Sequence, residues 1–168
     1  MGSTAKITHR SFLDLSGKNP STAIAEALIK ACGTRGSIFA YGAAFEKMCI
    51  SKLAKRLPKL RTPLLAIHAR IVDLLQIARD HYYHPSQQGS WSIKKVLPAV
   101  VPELRYDALD GVQDGGMAMD GFMEAIQPET PIDRKNQIEQ QLLAYCKLDT
   151  YAMVRLWQVF AGRRDLVL

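Results

Sequence analysis

Gly36-Ser-Ile-Phe-Ala-Tyr-Gly-Ala-Ala-Phe-Glu46 is the stretch on which the fold turns. A short apolar run between glycines has the length and flanks of a buried strand. Residues 43–57 then carry helical spacing, and Pro58 ends them. Upstream, Ile24, Leu28 and Ala31 predict a helix over 22–32, stopped by Gly33. Residues 16–21, with Gly17 and Pro20, read as a turn, and the loose alternation of 6–15 predicts a strand. Downstream, 64–81 predicts one further helix, with Pro85 just beyond it. Residues 86–116 are broken by prolines and glycines and leave room for one short helix around 93–97. A helix over 117–126 follows. Thr130-Pro-Ile-Asp133 then offers an N-cap threonine, a proline at the first helical position and an acid. It opens a long helix to about Phe160, stopped by Gly162. The expected class is α/β and predominantly helical, in a single domain over residues 1–168. So few strands cannot make a self-sufficient sheet, so either the sheet is small or part of it lies outside this chain.

The 168 residues are 48% hydrophobic and 23% charged, the balance of a globular domain able to bury its own core. No apolar run approaches the roughly 18 residues of a membrane helix. The opening MGSTAKITHR has no apolar signal core, and a cytoplasmic protein is expected. Cys32, Cys49 and Cys146 have no metal-like spacing and read as buried, reduced thiols.

The net charge of +6 is unevenly spread. Lys47, Lys52, Lys55, Arg56, Lys59, Arg61 and Arg70 stand against Glu46 alone, and Arg163 and Arg164 close the chain. Such a patch suits the phosphates of a nucleic acid. A solvated helix face explains it equally well.

Two acids fall on apolar stripes. At 100° per residue, Asp149 lies level with Leu142 and Leu156 on the stripe of Ile138, Tyr145, Met153 and Phe160. A lone carboxylate there is costly unless paired, hydrogen-bonded or bound to metal. With Tyr145 one turn earlier, it could hold a metal and orient a water; a partner Arg or Lys, or a capping role, is the plainer alternative. Glu46 shares a stripe with Ile50, Leu53 and Leu57 and starts a helix at a strand end, so it could face a cleft above a sheet. An acid in the first turn also simply favours the helix dipole. Asp73 falls off its stripe and reads as solvated. His81 and His84 in HYYH read as a helix-end cluster rather than a metal pair.

These residues resemble a family. Tyr41-Gly-Ala-Ala-Phe-Glu46, after its strand, resembles the second motif of the DnaQ-like 3′–5′ exonucleases, and Tyr145-Cys-Lys-Leu-Asp149-Thr resembles their third, in the DEDDy-type subgroup with a tyrosine. The stretch between, with Val72-Asp-Leu74, His84-Pro, Gly89-Ser-Trp-Ser-Ile-Lys94 and Val96-Leu-Pro98, resembles a bacterial domain family of unknown function in that superfamily. The resemblance covers roughly residues 22–160. It implies an RNase H-like fold and two-metal phosphodiester hydrolysis. Glu46 and Asp149 would be catalytic metal ligands, Tyr145 would orient the attacking water, and Mg²⁺ or Mn²⁺ would be the ion. The substrate would be single-stranded DNA or RNA, held by Lys47, Lys52, Lys55, Arg56, Lys59 and Arg61.

The departures shape the expectation. The family's first motif, Asp-x-Glu, supplies two of four carboxylates and does not occur here, and Gly42 stands where the second motif has Asn. The domain is therefore expected to lack its first strands, with a missing N-terminal part or a partner chain completing the sheet. Glu46 and Asp149 are expected to face one cleft. The chain alone is expected to hold divalent ions weakly or not at all and to degrade no nucleic acid. A non-catalytic nucleic-acid-binding module and a protein-interaction domain of a larger bacterial protein are the alternatives.

Overall fold

The structure, a computed structural model, describes residues 7–163. Lys6 and Arg164 lie outside them. The protein is α/β and predominantly helical, with 64% of it in helix and a small parallel sheet. In chain order the elements are α1 (Ser21–Cys32), β1 (Ile38–Ala40), α2 (Ala44–Arg56), α3 (Arg61–Ala69), β2 (Ile71–Asp73), α4 (Leu74–His81), α5 (Ile93–Val100), α6 (Gly115–Ala125) and α7 (Ile132–Phe160). The chain divides into two compact units, Asn19–Val96 and Met1–Lys18 with Leu97–Leu168.

The first unit is built on the strand read from Gly36 to Gly42. β1 pairs in parallel with β2, Ile38 opposite Ile71 and Ala40 opposite Asp73. Parallel strands need a crossover, and α2 and α3 supply it. Ala25, Ile50, Ala54, Leu64, Ile67 and Ile71 form the core, with Leu28, Ile38 and Leu53 packed against it. Leu64 and Ile67 are fully buried, each contributing about 1.5–3 kcal/mol from lost apolar surface.

One expectation fails here for a clear reason. The single helix over 64–81 is two helices with β2 between them. Ile71-Val72 is β-branched and finds a partner strand in β1; an apolar run this short reads alike as helix or strand until its partner is known. Asp73, expected in solvent, is half-buried at the N-cap of α4. Its Oδ1 accepts from the backbone N–H of Leu75 at 2.9 Å and of Gly42 at 2.8 Å, and its Oδ2 from Ala43 at 3.0 Å. One carboxylate therefore caps α4 and ties down the turn that leads from β1 into α2.

Arg70, counted from sequence among the phosphate-binding cations, is spent on the fold. Its guanidinium donates to the carbonyls of Arg35 (2.6 Å), Gly36 (3.0 Å), Cys32 (3.2 Å) and Gly33 (2.7 Å). These are the last carbonyl of α1 and those of the turn after it, where Gly33 and Gly36 take positive φ; helix-end carbonyls need such donors. Arg70→Gln is expected to lower stability by about 2 kcal/mol, since hydrogen bonds from a charged group are worth about 1.5–3 kcal/mol. Urea unfolding measures it. A point charge cannot reproduce the planar fork, so Arg70→Lys should recover only part, and full recovery would discard this account.

In the second unit α6 packs on α7. Val112, Ala125, Ile138 and Leu142 form the core, with Leu13, Leu15, Phe122 and Tyr145 against it. Residues 7–15 carry no strand; Leu13 and Leu15 reach the core from an irregular segment. Thr130 does not cap α7. Its hydroxyl donates to the Glu124 carbonyl at 2.6 Å, and Pro131 takes the N-cap position. Arg134 and Glu124 add a bidentate pair across α6 and α7, at 2.7 and 2.9 Å. Gly162, at φ +64°, follows α7 as expected. The division between the units falls inside α5, which runs on through Pro98 instead of stopping before it. The backbone N–H of Val101 still bonds to the Leu97 carbonyl, at 2.7 Å, so the proline removes one bond without ending the helix.

Candidate functional site

Asp149 projects from the middle of α7, between the buried Leu142 and Leu156, and is itself half-buried. Its position follows from the helical repeat of the stripe. What receives it is Tyr106, only 5% exposed, in a 3-10 turn at Tyr106–Ala108. The Tyr106 hydroxyl donates to Asp149 Oδ1 at 2.5 Å. Tyr145, one turn before Asp149, lies beside Tyr106 with ring centroids 5.9 Å apart and planes tilted by 53°, a favoured aromatic geometry. Burial, the Asp149 charge and a hydrogen bond to it push the Tyr145 phenol up to about 12. Burial first, then the bond to Asp149, raises the Tyr106 phenol as well. Both phenols are neutral donors at physiological pH, facing one carboxylate. A partner of Asp149 is thus a tyrosine, Tyr106, which the sequence reading did not offer.

Tyr106 was not singled out from the sequence. It lies 43 residues from Asp149 in the chain, in the irregular stretch, and no periodicity links the two. Arg105 and Asp107 flank it with a bidentate pair, at 2.9 and 2.6 Å, which braces the turn.

Glu46 is exposed in the first turn of α2, where it complements the helix dipole. Ile50, one turn on, is buried. The expected core-facing stripe therefore begins after Glu46, because the acid sits at the free end of the helix. Glu46 belongs to the unit Asn19–Val96 and Asp149 to the other. Of the basic candidates, Lys52, Lys55, Arg56, Lys59 and Arg61 are exposed and Lys47 is half-buried.

Tyr41, opening the second motif, has its hydroxyl on the Trp91 carbonyl at 2.8 Å. Burial pushes its phenol up to about 12, against the opposing effect of Arg79 and with a smaller push from Asp73. A raised folded-state value means that the unfolded chain releases this proton first, near pH 10. The stabilisation is complete below pH 10 and is lost as pH rises towards 12. Stability is therefore expected to fall over that window, and Tyr41→Phe should flatten the fall, as read by urea midpoints at pH 9 to 12. An unchanged slope in the variant would contradict it.

His81 is the last residue of α4, and His84 caps the separate 3-10 turn Pro85–Gln87. His84 is exposed, with Nδ1 2.7 Å from Ser86 Oγ. The cysteines correct the expectation of burial: Cys32 and Cys49 are half-buried and Cys146 is exposed.

Asp149 and the two phenols beside it are oxygen donors, the chemistry that suits Mg²⁺ or Mn²⁺ rather than a softer ion. Among the described residues no three His, Cys, Asp or Glu side chains gather as a ready-made metal group, so the fit to a divalent ion rests on the kind of donor present.

Comparison with known proteins gives a family match. A family described as a domain of unknown function (DUF2779) matches residues 1–92, more than half of the chain. That span takes in β1, α2 and β2 and stops before α5. No curated protein and no solved structure matches the chain.

Proposed function

The chain belongs to the DUF2779 family, and from that premise and the surroundings of Asp149 we propose that it is an RNase H-like, nuclease-type domain that acts on or binds single-stranded nucleic acid. The observation that carries this reading is the meeting of Asp149, Tyr145 and Tyr106. A half-buried carboxylate on α7 has one phenol on its oxygen and the phenol of the Tyr-x-x-x-Asp motif beside it. The parallel strand–helix–strand arrangement of β1, α2, α3 and β2 also favours an RNase H-like fold.

Asp149 is the residue of its unit that would hold a divalent ion. When bound, the ion would activate water and neutralise charge on a phosphodiester. Tyr145, kept protonated, would orient the attacking water by donating or accepting at its hydroxyl. Tyr106 fixes the Asp149 carboxylate by its bond to Oδ1. With no Asp-x-Glu in these 168 residues, the chain carries two of the four motif carboxylates that the DnaQ-like exonucleases use, and hydrolysis by this chain is not expected. Metal binding is therefore the test. Mn²⁺ titrated into the chain should bind weakly, and Asp149→Asn should remove that binding. Equal binding by the two proteins would end the nuclease reading.

The exposed cations of α2 keep the second reading, a nucleic-acid-binding module without catalysis, independent of the metal.

A further inference from the structure

The outer face of α2 carries more than charge. Phe45 is 66% exposed and Met48 42% exposed. Stepping 100° per residue, both fall on the same face as Lys52, Lys55 and Arg56, and Lys59 continues it past the helix end. Glu46 is the only acid in α2 and lies one step round the helix from Phe45. The face thus has a bare aromatic ring at its N-terminal end and an unopposed row of cations beyond it. From Phe45 to Arg56 it extends about 16 Å by the helical rise. The core requires none of these side chains, whose buried counterparts on α2 are Ile50 and Ala54.

We propose that this face of α2 docks single-stranded nucleic acid, one base stacking on Phe45 while the backbone runs along Lys52, Lys55, Arg56 and Lys59. The charge favours a polyanion. The ring selects among polyanions, because bases carry an exposed π-face, and stacking on an aromatic side chain is the usual sequence-tolerant grip on a single strand. A duplex hides its base faces, and an acidic peptide has none to offer. Phe45 directly precedes Glu46 in the chain, so a base on this ring would bring the strand to the acid of the second motif. The proposal deepens the nucleic-acid half of the function proposed above and does not depend on its metal half.

Fluorescence anisotropy tests it in EDTA, with the whole chain, a labelled 12-nucleotide oligo-dT and an abasic strand of equal length and charge. The wild type should bind oligo-dT more tightly than the abasic strand. Phe45→Ala should weaken oligo-dT binding about tenfold, the size of one base stack, leaving abasic binding and the salt slope unchanged. Phe45→Trp should restore it. Replacing Lys52, Lys55, Arg56 and Lys59 together by Gln should flatten the log-affinity against log-salt slope by about 3, at about 0.7 per phosphate released. Equal affinity for the two strands, equal loss on both in Phe45→Ala, or binding to polyglutamate or anionic vesicles but not to oligo-dT would each overturn the proposal. Because no metal is present, these outcomes are independent of whether Asp149→Asn alters Mn²⁺ binding.

Discussion

Asp149→Asn is expected to lose measurable Mn²⁺ binding while keeping the fold of the wild type. Asparagine matches aspartate in shape, and its Oδ1 can still accept the Tyr106 hydroxyl that now sits on the carboxylate at 2.5 Å. The packing of Tyr106 on Tyr145 need not change. What disappears is one negative charge facing a dication, and hard divalent ions depend on carboxylate charge. Loss of a group that merely orients a ligand costs about 10–100-fold in metal affinity; loss of the charged ligand itself should reach at least the upper end of that range. Starting from weak binding, such a drop leaves none to detect. Electron paramagnetic resonance of free Mn²⁺ at rising protein concentration measures it, with circular dichroism and the melting temperature as the check on folding. A variant that binds Mn²⁺ like the wild type would show that Asp149 is no metal ligand.

Asp73→Ala is expected to cost about 3 kcal/mol, a large part of the 5–15 kcal/mol typical of a domain. Three backbone N–H groups would lose their acceptor at once: Gly42, Ala43 and Leu75. The loss of an N-cap alone costs about 0.5–2 kcal/mol, and each further bond to a charged acceptor adds about 1.5–3 kcal/mol before the losses overlap. Asp73→Asn should cost less. Its single oxygen can keep Gly42 and Leu75, both now on Oδ1, while its amide nitrogen would oppose the Ala43 N–H. Urea unfolding gives the total, and hydrogen exchange should show the Gly42 and Ala43 amides opening together in the alanine variant. A cost below about 1 kcal/mol would mean that the turn into α2 is held by its glycine and by core packing instead.

What the sequence could say was local. Gly33 ended α1 and Gly162 followed α7 because a positive φ there is nearly free for glycine and costly for other residues. The stripe of α7 placed Asp149 between Leu142 and Leu156 because a helix repeats its faces every 3.6 residues. The strand at Ile38–Ala40 was legible from its glycine borders. The exposed cations of α2 were legible from the same spacing that buried Ile50 and Ala54.

The rest belonged to the tertiary structure. Ile71-Val-Asp73 became a strand only because β1 lies beside it, and a strand's hydrogen bonds run to residues far away in the chain. For the same reason Asp73 changed from a solvated acid to the acceptor for the turn after β1, and Arg70 from a surface charge to a clasp on the carbonyls that follow α1. Glu46 lost its expected core-facing place because helical spacing fixes the direction of a side chain, not whether anything covers it. Tyr106 had no sequence signal at all. Its role is set by a contact with Asp149 across 43 residues, and periodicity within one element carries no information about a partner on another. The sequence by itself determined where most of the helices run and that Asp149 lies on the stripe of Leu142 and Leu156, because backbone conformation and amphipathic spacing are properties of neighbours in the chain. Only the tertiary structure decided which groups meet that acid, because that depends on which distant segments the core brings together.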